Sequence, residues 1–451
     1  MQSQDSFHFD TFILLNLFQM MAISIIPELP KNVRFVTIFQ RGFVYLKYFL
    51  FRLQFTLEDY QNKNIQWTWK TFRITFMLTS MTLTAIFCLG LLTLFPKDHP
   101  FMSFHNIETI LETDRMDLFT LALFIMVITL EVMFLHLSSE VLNYRSSLVI
   151  FIIKNNNFDE NELSEKSIKF LSKFYTITYL SGMIAYRLYI INGIATIAIA
   201  YYWAIIFYKE NLITLKESIL SMFAFGLIVT DLTYLIGQLF MTILLFIIFV
   251  IELFQVKLGE LYKFVQKMFD HYSTYNGLKT IFWNQFQNKY VKLYAEIVDF
   301  NNSFDVMLFY IETVSKSSII ISCMFYSKQK EISQYCIMVI VSLMSTFICV
   351  TILYSRVARL PSYNRRCCKS IMNWLARTQW SSQESKFHSS MNINSMIIKS
   401  NFFAQVISDN KLGFTCGHLF FITKFKYIQL IILNMLLIIL FYQKICINGS
   451  F

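Results

Sequence analysis

The sequence has few charged residues and few prolines for its length. Only 15% of its 451 residues are Asp, Glu, Lys or Arg, whereas a soluble globular domain averages about 25%. Its five prolines stand at positions 27, 30, 96, 100 and 361, none of them inside a long apolar stretch. Transporters often break their membrane helices at proline and carry internal repeats. We find neither feature, and the composition therefore predicts unbroken membrane helices rather than a soluble domain or a transporter.

The side-chain clusters typical of metal sites and enzymes are also missing. His99 and His105 flank a loop without a third ligand, so a solvated loop is the favoured interpretation. The eight cysteines show no disulfide framework, and four lie in or beside apolar stretches: Cys88, Cys323, Cys336 and Cys349. We therefore predict no disulfide, no metal site, no cofactor and no enzymatic activity.

Two further cysteines follow two arginines, in the order Arg365, Arg366, Cys367, Cys368. Cysteine beside basic residues near a membrane is a pattern of palmitoylation or lipid contact. Small buried thiols within an ordinary basic segment explain the same pattern, and we favour that interpretation.

Apolar residues make up 55% of the chain and gather in long stretches. About 20 mostly apolar residues are needed for a helix to cross the hydrocarbon of a bilayer. Seven stretches approach this length: Ile74–Phe95, Leu118–Leu137, Leu188–Phe207, Met222–Ile251, Phe304–Phe325, Tyr335–Tyr354 and Tyr427–Gln443. Two shorter ones, Phe12–Ile26 and Phe43–Phe55, are interpreted as interfacial or packed helices.

Lysine and arginine are unevenly distributed around these seven stretches. Apart from Arg187 at the edge of the third stretch, 30 of the 39 precede the first stretch or lie between the second and third, fourth and fifth, or sixth and seventh. Because cytoplasmic loops carry the excess of basic residues, the N-terminus is predicted in the cytosol and the C-terminus outside. This orientation is opposite to that of a G-protein-coupled receptor. The net charge of +10 then indicates contact with anionic membrane lipids and not with nucleic acid.

The predicted architecture is an all-α, multi-pass protein of the plasma membrane with long cytosolic helices. We divide it into a cytosolic segment with interfacial helices (1–73), a seven-span domain (74–443) and a short extracellular tail (444–451). Within the seven-span domain, residues 252–303 and 356–426 are too long and too regularly apolar for simple loops. They are predicted to form helices that extend into the cytosol.

Charged side chains inside the predicted spans are few, and such residues are usually paired or face a polar cavity. Glu131 and Arg187 lie at comparable depth in the second and third spans, so we predict a structural ion pair between them. Glu312 and Lys316 are four residues apart in the fifth span and can pair along one helical face.

A group of aromatic residues accompanies one further carboxyl group in the outer halves of the third and fourth spans. Its members are Tyr201, Tyr202, Trp203, Asp231 and Tyr234. Facing a common hollow, they would form an aromatic pocket with one acidic group, suited to a small organic ligand. An interfacial aromatic belt explains the same residues equally well.

The segment from Phe414 to Gln443 resembles the C-terminal signature of insect gustatory receptors. That signature combines a stretch of the form F-x-A-x-G-apolar-F-x-[I/L]-[D/N] with T-Y, five apolar residues and Q-F. The matching positions are Phe414, Leu419, Phe420, Ile422 and Gln443.

This sequence also departs from the signature. His418 stands at the usual glycine, Leu436 and Leu437 replace the threonine and tyrosine, and Lys444 replaces the final phenylalanine. These departures indicate a divergent member whose ligand need not be a tastant, or a subunit that needs a related partner.

The resemblance implies a tetrameric, ligand-gated cation channel in which the seventh span of each subunit lines a central pore. It further implies that a small-molecule tastant or metabolite binds among the outer halves of the middle spans. The cytosolic helices would hold a homo- or heterotetramer together. Length, predicted span number, orientation and the long segment after the fourth span agree with the family.

One pore-lining residue follows from the resemblance and three from helical spacing. Gln443 occupies the motif glutamine of the pore helix. Asn434, Ile438 and Tyr442 share a face at steps of four residues and are predicted to line the pore with it. Packing of this face against the sixth span is the alternative.

Two other classes of protein remain as alternatives. A G-protein-coupled receptor is disfavoured by the orientation and by the missing acidic-Arg-Tyr and Asn-Pro signatures. A solute transporter is disfavoured by the unbroken spans.

Overall fold

The computed structural model is built almost entirely of helices. It describes residues 35–66, 68–94, 116–156, 158, 162–209, 214–270, 276–327, 334–384, 391–409, 412–417 and 419–443. The predicted stretch Phe12–Ile26 and the tail 444–451 lie outside the described residues.

The helices before the middle of the chain are α1 (Phe35–Tyr45), α2 (Leu57–Gln61), α3 (Trp69–Leu94), α4 (Met116–Leu142), α5 (Ser147–Asn155), α6 (Glu165–Lys209) and α7 (Leu215–Thr242). They are followed by α8 (Ile248–Asp270), α9 (Asn276–Ser327), α10 (Gln334–Val357), α11 (Leu360–Glu384), α12 (Met391–Asp409), the strands β1 (Thr415–Cys416) and β2 (Phe420–Phe421), and α13 (Lys424–Tyr442).

Four of these helices are long and apolar enough to cross a membrane, among the residues described. Their apolar parts are Thr71–Gly90, Leu121–Leu142, Glu165–Ile206 and Ser218–Leu235, in α3, α4, α6 and α7. They coincide with the first four predicted spans. The last three predicted spans lie in α9, α10 and α13, where a membrane crossing stays a prediction.

The fourth predicted span is not a single unbroken α-helix. A π-helical turn, Ile243–Ile247, separates α7 from α8. Phe246 of this turn packs directly over Gly42 of α1, where a Cβ atom would overlap the phenyl ring. The chain stays helical through this turn, so the expectation of unbroken spans is not contradicted. A helix can thus be irregular without proline. A π-helical turn changes the direction of the side chains that follow it.

The stretch Phe43–Phe55 is packed into the protein core and does not form a span. After α1 it makes a π-helical turn, Leu46–Leu50, and continues as extended chain. Phe51, Leu53 and Phe55 are buried. The next helix, α2, starts at a capping box in which Thr56 and Asp59 each bond the other's backbone N–H.

The described residues of the segment 252–303 lie in α8 and in the first half of α9, which pack against each other. Residues 356–426 contain α11, α12 and the two short strands. Trp283 of α9 stacks on Trp374 of α11 with ring centroids 5.4 Å apart, and Phe403 of α12 meets Trp283 edge-on. Tyr290 also donates a hydrogen bond to Asn364 at 2.9 Å. These contacts join α9, α11 and α12 into one helical layer.

Cys367 and Cys368 lie inside this layer and are buried. Burial raises the pKa of the Cys367 thiol to about 12 and that of the Cys368 thiol to about 11. Small buried thiols are therefore the interpretation that the structure supports, and neither sulfur is placed for lipid attachment.

Candidate functional site

The helix expected to line a pore, α13, follows directly from a short hairpin. Thr415 pairs with Phe421 and Cys416 with Phe420. Gly417 adopts φ +53° in the turn, a conformation that glycine accepts without strain. The backbone N–H of Lys426 then donates to the hydroxyl of Thr423, which caps the helix start.

The hairpin is attached to two long helices. Asn301 of α9 makes two hydrogen bonds with Thr415, one to its hydroxyl at 3.1 Å and one from its backbone N–H at 3.0 Å. The N–H of Gly417 donates to the carbonyl oxygen of Asp305 at 2.8 Å. The Tyr354 hydroxyl of α10 lies 3.3 Å from the Cys416 sulfur. The start of α13 is thus held by α9 and α10.

The four residues predicted to line a pore do not share one exposed face of α13. Asn434 is only 7% exposed, Ile438 is half-buried and Gln443 is exposed. Tyr442 ends the helix, and its side chain lies outside the described set. In the single chain Asn434 packs inside its own subunit, whereas Gln443 does not. Pore lining by these four residues stays a prediction.

The face of α13 opposite Asn434 is apolar and about half exposed in the single chain. Its residues are Ile428, Ile432, Leu433, Met435, Leu436 and Ile439. On the inner side α13 packs against α9 and α10.

The predicted aromatic pocket lies where α6 meets α7. The Tyr201 hydroxyl of α6 packs against Gly226 of α7. A Cβ atom added to Gly226 would lie only 2.6 Å from that hydroxyl oxygen, so glycine permits this close approach of the two helices. Tyr234 is half-buried and Tyr202 is exposed. The side chain of Trp203 lies outside the described set. Of these residues, Tyr201 is the one placed at the contact between α6 and α7, and a common aromatic pocket stays a prediction.

Asp231 is separate from this aromatic group. It is 1% exposed and accepts a hydrogen bond from Thr82 of α3 at 2.9 Å. It lies between α3 and α7, and its place in a ligand pocket stays a prediction.

Glu131 is paired, but its partner is Arg52 and not the predicted Arg187. The two side chains meet at 2.7 Å, with 1% and 4% of their surfaces exposed. Arg52 also lies over the Phe134 ring, 4.2 Å from its centroid. The prediction considered only charges within spans, whereas Arg52 enters the bundle from the packed stretch Phe43–Phe55. An arginine inside such an apolar stretch was the signal available.

The backbone at Arg52 is fixed as firmly as its side chain. Arg52 adopts φ +54°, which is uncommon for a residue with a Cβ atom. The Thr75 hydroxyl donates to its carbonyl oxygen. The Ser138 hydroxyl donates to the carbonyl oxygen of Phe51 at 2.5 Å. Hydrogen bonds from α3 and α4 therefore hold the backbone at this turn. The Arg52 side chain is thereby directed into the helix bundle, toward Glu131.

The second predicted ion pair is confirmed. Lys316 and Glu312 of α9 lie 3.4 Å apart along one helical face. Among the described residues, no three His, Cys, Asp or Glu side chains are grouped as a metal site would require.

The whole chain is similar in fold to a solved chemoreceptor, the insect olfactory receptor OR5 from Machilis hrabei in complex with eugenol. The superposition covers 90% of this chain and 97% of that chain, with a TM-score of 0.54 and 10% sequence identity. No protein-family model matches the sequence, and no curated protein matches it. At this identity the likeness concerns the fold alone.

Proposed function

We propose that the chain is a subunit of a ligand-gated, non-selective cation channel that acts as a chemoreceptor in the plasma membrane. The observation that carries this proposal is the fold likeness to an insect olfactory receptor over nearly the whole chain. The motif from Phe414 to Gln443 favours a divergent gustatory-receptor-like branch. The proposed subunit has seven spans, a cytosolic N-terminus and an extracellular C-terminus.

In the proposed channel, α13 of each of four related or identical subunits surrounds a central pore. Two features of α13 support this arrangement. Its outward face is apolar and half exposed in the single chain, so a bilayer or neighbouring subunits must cover it. Gln443, at its outer end, is exposed. A ring of apolar side chains can close such a pore by excluding water.

The proposed ligand is a small organic molecule, a tastant or a metabolite, bound near the α6–α7 interface. Tyr201, Tyr202, Trp203 and Tyr234 supply the aromatic surface there. Eugenol in the solved insect receptor is a small-molecule ligand of the same broad kind. Ligand would open the channel by binding the open arrangement more tightly than the closed one.

The hairpin connects the body of the subunit to the pore helix. Because Asn301, Asp305 and Tyr354 hold the hairpin, movement of α9 or α10 would be passed to the start of α13. This gives ligand binding a continuous physical route to the pore.

Current recording from cells that express the chain tests the proposal. Ligands would be applied in a panel, to the chain alone and with related receptor subunits. A thiol reagent that cannot cross membranes should then block current in a Gln443→Cys variant. Asn434→Cys is the matched control, and the reagent should leave its current unchanged.

Two outcomes would count against the proposal. If the protein is detected at the cell surface but gives no current with any ligand or partner, the proposed channel activity is wrong. Block through Asn434→Cys but not through Gln443→Cys would place the pore on the opposite face of α13.

A further inference from the structure

The pairing of Arg52 with Glu131 leaves a buried cluster with an excess of negative charge. Asp231 lies within electrostatic range of both Arg52 and Glu131. All three residues are at least nine-tenths buried. With both carboxyl groups ionised, two negative charges face one positive charge. An uncompensated charge in such surroundings is too costly to persist, so a positive species must balance it.

Several polar atoms of the cluster are buried without a hydrogen-bond partner among the described residues. On Arg52 these are Nε and one terminal nitrogen; on the acidic residues they are Glu131 Oε1 and Asp231 Oδ2. Thr79 Oγ1 is a fifth. Each such atom costs about 1–3 kcal/mol if nothing binds it.

Helix α3 supplies hydroxyl oxygens along this cluster. Thr75, Thr79 and Thr82 follow one another at steps of four and three residues and so share one face. Thr75 bonds the Arg52 backbone and Thr82 bonds Asp231. Thr79 lies between them, one turn from each, with its oxygen unpartnered. Thr79 therefore carries an unpartnered hydroxyl oxygen on the helix face whose neighbouring threonines bond Arg52 and Asp231.

We propose that this cluster binds a small hydrated monovalent cation, with Na⁺ as the best match, through Glu131, Asp231 and Thr79. Oxygen ligands of this kind suit hard cations. The net charge of the cluster is minus one, which a monovalent ion balances and a divalent ion exceeds. Water carried with the ion bonds the remaining nitrogen atoms of Arg52 and the carboxylate oxygens. A proton on Asp231 would balance the charge but would leave the unpartnered donors on Arg52 unbonded.

The site is distinct from the proposed pore and from the aromatic group. It joins α3, α4 and α7 to the packed stretch that carries Arg52. A bound ion would therefore stabilise the attachment of that stretch to the bundle.

The test is the unfolding temperature of the purified full chain in sodium chloride and in an equal concentration of the chloride of a large organic cation. Sodium should raise Tm by roughly a few degrees, potassium should raise it less, and the large cation should not raise it. Asp231→Asn should abolish the sodium effect. Asp299→Asn, an exposed aspartate paired with Lys154, is the matched control and should retain it.

Thr79→Val provides a second variant if Asp231→Asn does not fold, because it removes an oxygen and keeps the side-chain shape. It should weaken the sodium effect at an unchanged fold. Equal Tm in all cations would overturn the proposal, as would a sodium effect that survives in Asp231→Asn. A Tm that is insensitive to sodium and changes with pH in the wild type but not in Asp231→Asn would assign the charge balance to a proton instead. The readout does not depend on current, so it is independent of channel activity.

Discussion

The pair between Arg52 and Glu131 is the contact whose loss should affect the molecule most. Arg52→Ala would leave the Glu131 carboxylate buried without its partner, and breaking a buried pair costs about 3–5 kcal/mol. We expect a clear fall in Tm of the purified protein and less protein at the cell surface. Replacement of both residues, Arg52→Met with Glu131→Gln, should recover much of that loss because no unpaired charge remains.

A control for this prediction is the pair of Lys154 and Asp299, which is equally short at 2.7 Å but half exposed. Lys154→Ala should cost less than about 1 kcal/mol, because water already solvates both groups. Equal losses from Arg52→Ala and Lys154→Ala would show that burial of the first pair has no energetic consequence.

The thiols of Cys367 and Cys368 should be unreactive in the folded protein. Burial raises both pKa values, to about 12 and about 11, so almost no thiolate exists near neutral pH. A maleimide should label neither until the protein is denatured. Lys369→Cys, at the next and exposed position, is the control and should react at once. Fast labelling or lipid attachment at the native pair would contradict the buried arrangement.

At the residue scale the sequence identified which charges matter but not which partners they have. Glu131 and Asp231 were recognised because a carboxyl group within an apolar stretch is costly. Their partners, Arg52 and Thr82, lie 79 and 149 residues away in sequence. A local sequence pattern cannot predict partners so far apart in the chain. The packing of α3, α4 and α7 brings them together.

The individual elements were easier to foresee. Each of the seven predicted spans lies within helical chain, because long apolar stretches are an unambiguous signal. The π-helical turn at Ile243–Ile247 was not predicted, because no proline or other breaker residue marks it.

The hairpin before α13 offers a test at the scale of elements. Asn301→Ala removes both hydrogen bonds to Thr415, and we expect a looser hairpin with faster hydrogen exchange at residues 415–422. In an active channel, the same change should alter the ligand concentration needed for opening. Asn288→Ala, an exposed position on the same helix, is the control. If Asn301→Ala changes neither the hydrogen exchange of the hairpin nor the ligand concentration needed for channel opening, the hairpin has no part in gating.

At the scale of the whole molecule, two helices are far longer than a membrane requires. Helix α6 has 45 residues and α9 has 52, about 68 Å and 78 Å at 1.5 Å per residue. A bilayer has about 30 Å of hydrocarbon. In the proposed subunit both helices would therefore extend well beyond one surface. The predicted orientation makes this the cytosolic surface, where α8, α9, α11 and α12 would form their layer.

This orientation predicts which ends of the helices reach the outside of a cell. Lys216, at the start of α7, and Lys166, at the start of α6, are both exposed. A thiol reagent that cannot cross membranes should label Lys216→Cys on intact cells and Lys166→Cys only after permeabilisation, with the unsubstituted chain as background. An antibody tag at the N-terminus should likewise need permeabilisation. The reverse labelling pattern would show the opposite membrane orientation, with the basic helical layer outside the cell. Such a result would leave the fold intact but would remove the orientation on which the channel proposal depends.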